Sequence, residues 1–180
     1  MLIGERVRLR ALERMDIPTL LRWMNDPEVR EGLLVFKPMS TMMEERWLEG
    51  LADRPDDYVF GVEALIEGHW RHVGNVGLHG IERHHRRAEI GIVIGEKDAW
   101  GKGYGSEAMA LMMRFAFHEL GLHRIELEVF ESNLRALKTY RALGFVEEGV
   151  RRESIYTGGR FIDALHMGVL RSEYDARFGV

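Results

Sequence analysis

The stretch DAWGKGYGSEA, residues 98–108, places three glycines at alternate positions. It follows an apolar, strand-like run at 88–95 and continues into the strongest helical pattern in the chain, at 104–120. Glycine adopts positive φ without strain and lets a ligand approach the backbone closely. A helix N-terminus adds unpaired N–H groups and the positive end of the helix dipole. The stretch therefore predicts a phosphate site at a strand–helix junction.

The glycine spacing matches neither common nucleotide fingerprint. A Walker loop has four residues between its first glycine and Gly-Lys, but five separate Gly95 from Gly101-Lys102. Gly103 also stands where Ser or Thr would hold magnesium. A dinucleotide fingerprint starting at Gly101 requires a third glycine where Ser106 stands. ATP and GTP are therefore disfavoured, and a dinucleotide-dependent reductase stays as an alternative.

Composition narrows the range of partners and compartments. The 180 residues are 46% hydrophobic and 30% charged, so we interpret 1–180 as one globular domain. A net charge of −4 offers no basic footprint for nucleic acid, and no direct nucleic-acid partner is expected. The absence of cysteine excludes a thiolate nucleophile and agrees with a reducing compartment. The N-terminal residues lack the apolar core of a signal peptide, so we expect a cytoplasmic protein that does not bind membranes.

The first half of the chain alternates between strand-like and helical patterns. Apolar residues at every second position predict a strand over 6–12. Asp16 is a candidate N-cap for a helix that ends at 25–27. Thr41 and Glu44 have capping-box spacing and predict the start of a second helix. Further strands are predicted at 58–66, 72–81 and 88–95.

The second half predicts helices and strands that complete a single sheet. A helix is predicted at 104–120, followed by a strand at 124–130, a helix at 133–143, and strands at 145–156 and 161–170. We therefore predict a mixed α/β fold. In it, antiparallel strands, a strand–helix–strand unit and a final hairpin share one sheet.

Two motifs, WGKGYG at 100–105 and NLRALKTYRALGF at 133–145, resemble those of the GNAT superfamily of acyl-CoA-dependent N-acetyltransferases. The first superfamily signature is Gln/Arg-x-x-Gly-x-Gly/Ala at a strand–helix junction. Residues 100–105, WGKGYG, match its glycines, but Trp100 replaces Gln or Arg. The second is N-x-x-A-x-x-x-Y-x-x-x-G-F, which residues 133–145 reproduce. The W-G-K-G-Y pattern is similar to that of the branch containing ribosomal-protein alanine, spermidine and small-amine acetyltransferases.

The resemblance covers nearly the whole chain and implies a fold and a cosubstrate. The implied GNAT fold has a central, mixed, mostly antiparallel and splayed sheet flanked by helices. Acetyl-CoA is the implied cosubstrate, with its diphosphate on main-chain N–H groups and its pantetheine arm along a strand edge. The residues implied for the diphosphate are Trp100, Gly101, Lys102, Gly103, Tyr104, Gly105 and Ser106. Those implied for the arm are Ile92, Val93 and Ile94, together with Asn133 and Ala136. Asn133 can also cap its own helix, and both roles stay open.

The resemblance also implies a reaction: a neutral amine attacks the thioester carbonyl in a ternary complex, and coenzyme A leaves as a thiol. Glu89 aligns with an acidic position where some members place a base. A histidine or water as base, or a solvated Glu89, stays open. Tyr140 is expected to protonate the leaving thiolate, with a core residue as the alternative reading. A main-chain N–H near Val93 is expected to bind the oxyanion.

The expected partner is an amine: a protein N-terminus, a polyamine or a small amine. Self-association as a homodimer is left open. A noncatalytic acyl-CoA-binding sensor is the alternative function, which the presence of Tyr140 and Glu89 disfavours. No metal is expected, because no thiolate accompanies the histidines and the HHRR run at 84–87 is typical of a solvated loop.

Overall fold

The computed structural model describes residues 1–33 and 35–179, over which eight strands and six α-helices are found. The strands are β1 (Leu2–Ile3), β2 (Val7–Arg10), β3 (Tyr58–Ile66), β4 (His69–Glu82), β5 (Arg87–Ile94), β6 (Arg124–Phe130), β7 (Val146–Thr157) and β8 (Arg160–Leu170). The helices are α1 (Ile17–Met24), α2 (Pro27–Arg30), α3 (Thr41–Gly50), α4 (Tyr104–Arg114), α5 (Leu134–Leu143) and α6 (Arg171–Phe178).

The strands form one mixed sheet in the order β1-β2-β3-β4-β5-β6-β8-β7. Strands β1 to β3 each pair antiparallel with the next strand, and β8 pairs antiparallel with both β6 and β7. Strands β5 and β6 run parallel, which requires a crossover, and α4 lies in that connection. The predicted mixed α/β sheet is therefore confirmed.

The pairing of β5 with β6 is short. Their register runs from Arg87 opposite Arg124 to Glu89 opposite Glu126. Strand β6 continues beyond this point, and it pairs with β8 as far as Phe130. Within the described ranges, the second half of β6 therefore has β8 as its only paired neighbour, as a splayed sheet requires.

The chain divides into two compact units, of which the first comprises residues 1–33, 35–80 and 91–112. Helix α1 buries Ile17, Leu20 and Trp23, which recur at three-residue spacing along one side of the helix. Leu20, Trp23 and Val29 form a core cluster against which Val93 packs. This cluster holds α1 and α2 together.

The second unit comprises residues 81–90 and 113–179. Phe130, Ile155, Ile162 and Ala164 form one of its buried clusters. Helix α6, which the sequence analysis did not predict, places Tyr174 against Phe117 with 5.0 Å between ring centroids. The sequence pattern of α6 is strongly polar and buries Tyr174 alone among its described residues, so it carries little apolar periodicity.

Several helix ends differ from the predicted ones. Asp16 precedes α1 but makes no cap bond with its side chain, because its carboxylate binds Arg10 instead. The chain does leave α1 at residues 25–27, yet Asp26 caps the short helix α2 by accepting a hydrogen bond from the Glu28 N–H at 2.9 Å. The predicted 104–120 helix is α-helical only to Arg114, and a π-helical turn follows.

The start of α3 corrects the predicted capping box. Ser40, not Thr41, is the N-cap, and its Oγ accepts a hydrogen bond from the Met43 N–H at 3.3 Å. Glu44 is consequently free of the capping role and is the one buried residue among those described in α3. Across the described ranges, none of the helices is long and apolar enough to span a membrane.

Candidate active site

The glycine-rich loop leads into α4 with an exposed main chain. Gly101 and Gly103 have φ values of 73° and 87°, in the region that favours glycine. Residues 101–103 are exposed, and α4 begins at Tyr104 with the Glu107 N–H donating to the Gly103 carbonyl at 3.1 Å. The N–H groups before Glu107 are thus at the open end of a helix, where an anion is stabilised.

The space around Gly101 and Gly105 is open. A Cβ atom at Gly101 would meet no described atom within 4 Å. At Gly105 it would meet only the side chains of Ile92 and Ile94, at ordinary contact distances of 3.4 Å and more. The protein's own packing therefore does not require glycine at 105. Because Gly105 has no side chain, there is room for a ligand over the first turn of α4.

Arg6 is a cation at this loop that the sequence analysis did not single out. Its Nη1 donates to the Lys102 carbonyl at 3.2 Å, and its guanidinium lies 5.5 Å from the centre of the Tyr104 ring. Glu107 Oε1 accepts hydrogen bonds from the Arg6 and Val7 N–H groups at 2.7 and 3.0 Å, which joins the start of β2 to α4. The charged face of a half-buried strand gives no sign of such a contact, because every exposed arginine there has the same pattern.

Trp100, where the superfamily signature has Gln or Arg, anchors the loop. Its indole Nε1 donates to the Ile94 carbonyl at 2.6 Å, and its ring packs on the cluster of Leu20, Trp23 and Val29. The side chain is therefore occupied by the protein core. Its main-chain N–H donates to the Lys97 carbonyl at 3.1 Å, and a role of Trp100 at the diphosphate stays a prediction.

The end of β5 is held by close packing. A Cβ atom at Gly95 would lie 2.0 Å from the Trp23 ring, so no other residue fits there without displacing α1. The Trp23 Nε1 donates to Glu96 at 3.0 Å. The Val73 carbonyl accepts the N–H groups of Gly95 and Glu96 at 2.9 and 3.2 Å. Together these contacts fix the strand end from which the glycine loop starts.

A cavity of about 440 Å³ lies in the first unit, beside α1, α3 and β5. Its lining is mainly apolar and consists of Leu20, Met24, Leu33, Val35, Met39, Glu44, Trp47, Val59, Asn75, Val76, Gly77, His79, Gly91, Ile92 and Val93. Two of the residues implied for the pantetheine arm, Ile92 and Val93, thus line a cavity large enough for a small ligand. Gly91 contributes open space, since a Cβ atom there would meet no described atom within 4 Å.

Three polar side chains line this cavity: Glu44, Asn75 and His79. Glu44 is 4% exposed, and burial raises the pKa of its carboxyl group. The Asn75 Oδ1 lies 3.0 Å from His72 Nε2, and His79 Nδ1 lies 3.6 Å from Asp57 Oδ2. His79 is partly exposed and Glu44 is not, so the carboxylate is the more deeply placed of the two ionisable groups.

The second motif lies in the second unit and forms α5 as predicted. Asn133 caps the helix, because its Oδ1 accepts the Ala136 N–H at 3.2 Å, and Gly144 ends it with a φ of 99°. Tyr140 lies 5.9 Å from Phe145 between ring centroids, and burial raises the pKa of its phenol to about 12. The phenol is therefore protonated at neutral pH. Of the two roles left open for Asn133, the structure shows helix capping, and binding of the cosubstrate arm stays a prediction.

Glu89, the predicted base, is exposed in β5 and lies opposite Glu126 of β6. The structure therefore brings the loop residues 100–106 together with Ile92, Val93 and Ile94 in the first unit. The second unit contains Glu89, Asn133, Ala136 and Tyr140.

Within residues 1–33 and 35–179, no group of three or more His, Cys, Asp or Glu side chains is arranged to hold a metal.

Comparison with known proteins identifies the family. Residues 6–146 match the family described as Acetyltransferase (GNAT) domain. The "Uncharacterized N-acetyltransferase p20" of Bacillus licheniformis is 32% identical over 181 residues, covering 96% of this chain and 97% of that protein. The chain therefore belongs to the GNAT acetyltransferase family, and the GNAT fold implied by the sequence is confirmed.

Solved structures of spermidine N-acetyltransferases give the same family assignment. The crystal structure of spermidine N-acetyltransferase from Vibrio cholerae in complex with CoA and spermine has a TM-score of 0.84 and 31% identity, covering 95% of this chain and 99% of that one. A dodecameric structure of the Vibrio cholerae enzyme has a TM-score of 0.81 and 32% identity, covering 97% and 99%. The chain is an N-acetyltransferase and is similar to members of the branch that its W-G-K-G-Y pattern indicated, which contains ribosomal-protein alanine, spermidine and small-amine acetyltransferases.

Proposed function

We propose that this N-acetyltransferase transfers an acetyl group from acetyl-CoA to a primary amine by direct attack in a ternary complex. The observation that carries the proposal is the loop before α4, with positive φ at Gly101 and Gly103 and an exposed main chain. Such a helix N-terminus suits the diphosphate of coenzyme A. Acetyl-CoA supplies the acetyl group in activated form, as a thioester.

The loop and β5 have separate tasks in this proposal. The N–H groups of residues 101–106 hold the diphosphate, and Arg6 adds a positive charge beside them. The main chain of Ile92, Val93 and Ile94 lies along the pantetheine arm, and the Val93 N–H donates to the carbonyl oxygen as negative charge develops on it. Because main-chain groups make these bonds, they depend on backbone position more than on side-chain identity.

Two side chains move protons in the proposed reaction. The amine nitrogen bonds to the thioester carbonyl carbon, the carbon–sulfur bond breaks, and the nitrogen loses one proton. Glu89 receives that proton, and the Tyr140 phenol donates one to the departing sulfur. Burial raises the pKa of the Tyr140 phenol to about 12, so the phenol carries a proton at neutral pH before the sulfur leaves.

The absence of cysteine supports direct attack over an acyl-enzyme route through a thiolate. An enzyme that forms a ternary complex gives intersecting lines in double-reciprocal plots against both substrates, whereas an acyl-enzyme route gives parallel lines. We therefore expect intersecting lines when release of free coenzyme A is measured at several amine concentrations.

The decisive test is release of coenzyme A from acetyl-CoA in the presence of an amine panel. The panel includes monoamines, diamines, spermidine and peptide N-termini. Turnover with at least one amine, lowered in Glu89→Gln, is the expected result. Acetyl-CoA binding without turnover on any amine would instead support the acyl-CoA sensor.

A further inference from the structure

Three carboxylates are buried in the first unit, and two of them are neutralised by arginine. Asp16 receives two hydrogen bonds from Arg10, each at 2.7 Å. Glu63 is paired with Arg8 and with Arg10, the latter at 2.9 Å. Burial acts to raise the pKa of Asp16 and of Glu63, but hydrogen bonds, those from arginine among them, outweigh it and lower both.

Glu44 is the third buried carboxylate and differs from the other two. It is 4% exposed, and none of the described residues forms an ion pair or hydrogen bond with its side chain. Its side chain lines the 440 Å³ cavity, together with Trp47 one turn further along α3. The Ser40 cap satisfies the N-terminus of this helix, so Glu44 is not needed there.

A carboxylate that faces an apolar cavity without a partner is unfavourable for folding, because burial weakens its hydration without supplying a partner. A cationic ligand supplies that partner, and a charge-assisted hydrogen bond in a water-poor site is among the stronger polar contacts. The cavity therefore has the chemistry of a site for one positively charged group surrounded by apolar surface.

The reaction limits which nitrogen Glu44 can hold. The nitrogen that attacks the thioester must be neutral at that moment, so it cannot be the cation that stays paired with Glu44. A second basic nitrogen on the same acceptor can remain protonated throughout. With one buried anion in the cavity, one retained cation is compensated, and further charges would face the apolar lining.

We propose that the acceptor carries two basic nitrogens joined by an apolar spacer, as in an aliphatic diamine, and that Glu44 binds the nitrogen that is not acetylated. This inference rests on the proposed amine acetyltransferase function. The spacer lies against the apolar lining of the cavity, and the reacting nitrogen points to the β5 side, where Ile92 and Val93 form the wall.

The test compares matched acceptors by release of coenzyme A. Pentylamine and 1,5-diaminopentane differ only in the second nitrogen, and the 1,3- to 1,6-diamines vary the spacer. We expect kcat/KM for the best diamine to exceed that of its matched monoamine at least tenfold. Spermidine, which retains two cations after acetylation, is expected to fall below that diamine.

Glu44→Gln should remove the preference, lowering kcat/KM for the diamine about tenfold or more while changing that of the monoamine less than threefold. Glu45→Gln, on the exposed face of the same helix, is the matched control and should keep the preference. A general loss of packing would lower activity on both acceptors. Thermal unfolding of Glu44→Gln, with Glu44→Leu as a second variant, checks that the fold is retained.

The outcomes separate the inference from the function on which it rests. Equal use of monoamine and diamine, or an unchanged preference in Glu44→Gln, overturns the role of Glu44 while leaving acetyl transfer intact. A tenfold preference for spermidine over every diamine overturns the inference that the cavity compensates a single retained cation. If no amine releases coenzyme A from acetyl-CoA that demonstrably binds, the proposed function itself fails.

Discussion

The loop before α4 and the cavity beside α3 offer a ligand opposite kinds of chemical group. The loop is exposed and offers N–H groups, with Gly101 and Gly103 in conformations that side chains disfavour. The cavity is mainly apolar and offers side chains, with Glu44 as its buried charge. Main-chain recognition suits a ligand common to a whole family, whereas side-chain recognition can change with a single substitution. Substitutions should therefore affect the two substrates separately.

The largest expected effect, a loss of kcat, comes from Tyr140, which lies in neither the loop nor the cavity lining. Tyr140→Phe removes the proposed proton donor and should lower kcat about 100-fold, within the usual range for general acid catalysis. The KM for acetyl-CoA should change less than threefold. Tyr156→Phe, which alters an exposed tyrosine packed on Phe161, is the control. Unchanged turnover in Tyr140→Phe would show that the phenol has only a packing role.

The second effect tests the loop. Gly103→Ala forces a side chain into a φ of 87° and places a Cβ atom 3.2 Å from Arg6 Nη2. The KM for acetyl-CoA should rise roughly tenfold, equivalent to about 1.4 kcal/mol, with the acceptor KM unchanged. Gly158→Ala, in a hairpin turn with a φ of 57° and open surroundings, controls for strain alone. An equal rise in both KM values would contradict the prediction that the loop affects acetyl-CoA and not the acceptor.

A smaller effect is expected from the cation at the loop. Arg6→Met keeps an unbranched stem but removes the guanidinium and its charge, and should raise the KM for acetyl-CoA about threefold in low salt. The difference from the unmodified enzyme should shrink at high ionic strength, because the charge is exposed. Arg14→Met, which removes an exposed ion pair with Glu49, should leave this KM unchanged.

The smallest effect concerns stability and tests the cavity without any ligand. Because burial raises the pKa of Glu44 in the folded state, its ionisation opposes folding. This unfavourable contribution is absent below the unfolded pKa and develops as the pH rises through the folded one. Glu44→Gln should therefore be more stable than the unmodified enzyme at neutral pH by about 1 kcal/mol, with the difference lost in acid. Denaturant unfolding across this pH range measures it, and a difference independent of pH would contradict the assignment.

The elements that the sequence predicted well are those whose signals are local. The Asn133 cap and the Gly144 stop both lie next to the helix that they bound, and α5 begins and ends within a residue of the predicted limits. The glycine loop was identifiable for the same reason, since positive φ and an exposed helix start are properties of adjacent residues. The strand at 58–66 and the strand at 124–130 also match their predicted limits.

The features that the sequence did not predict depend on contacts between distant residues. Thr41 and Glu44 have the spacing of a capping box, but Ser40 takes the cap and the tertiary packing turns Glu44 into the cavity. Arg6 reaches Lys102 across almost a hundred positions of sequence. The role of Trp100 likewise depends on the Ile94 carbonyl and on the core of another element. The roles of Glu89 and Tyr140 in catalysis stay predictions.

The interlock of Gly95 with Trp23 has an evolutionary consequence. Any side chain at position 95 would clash with the Trp23 ring, so substitution is restricted where the end of β5 meets α1. Helix α3 is different, because Glu44 is the single buried residue among those described in it. Under the proposed roles, substitutions along α3 change the accepted amine and leave the binding of coenzyme A unaltered.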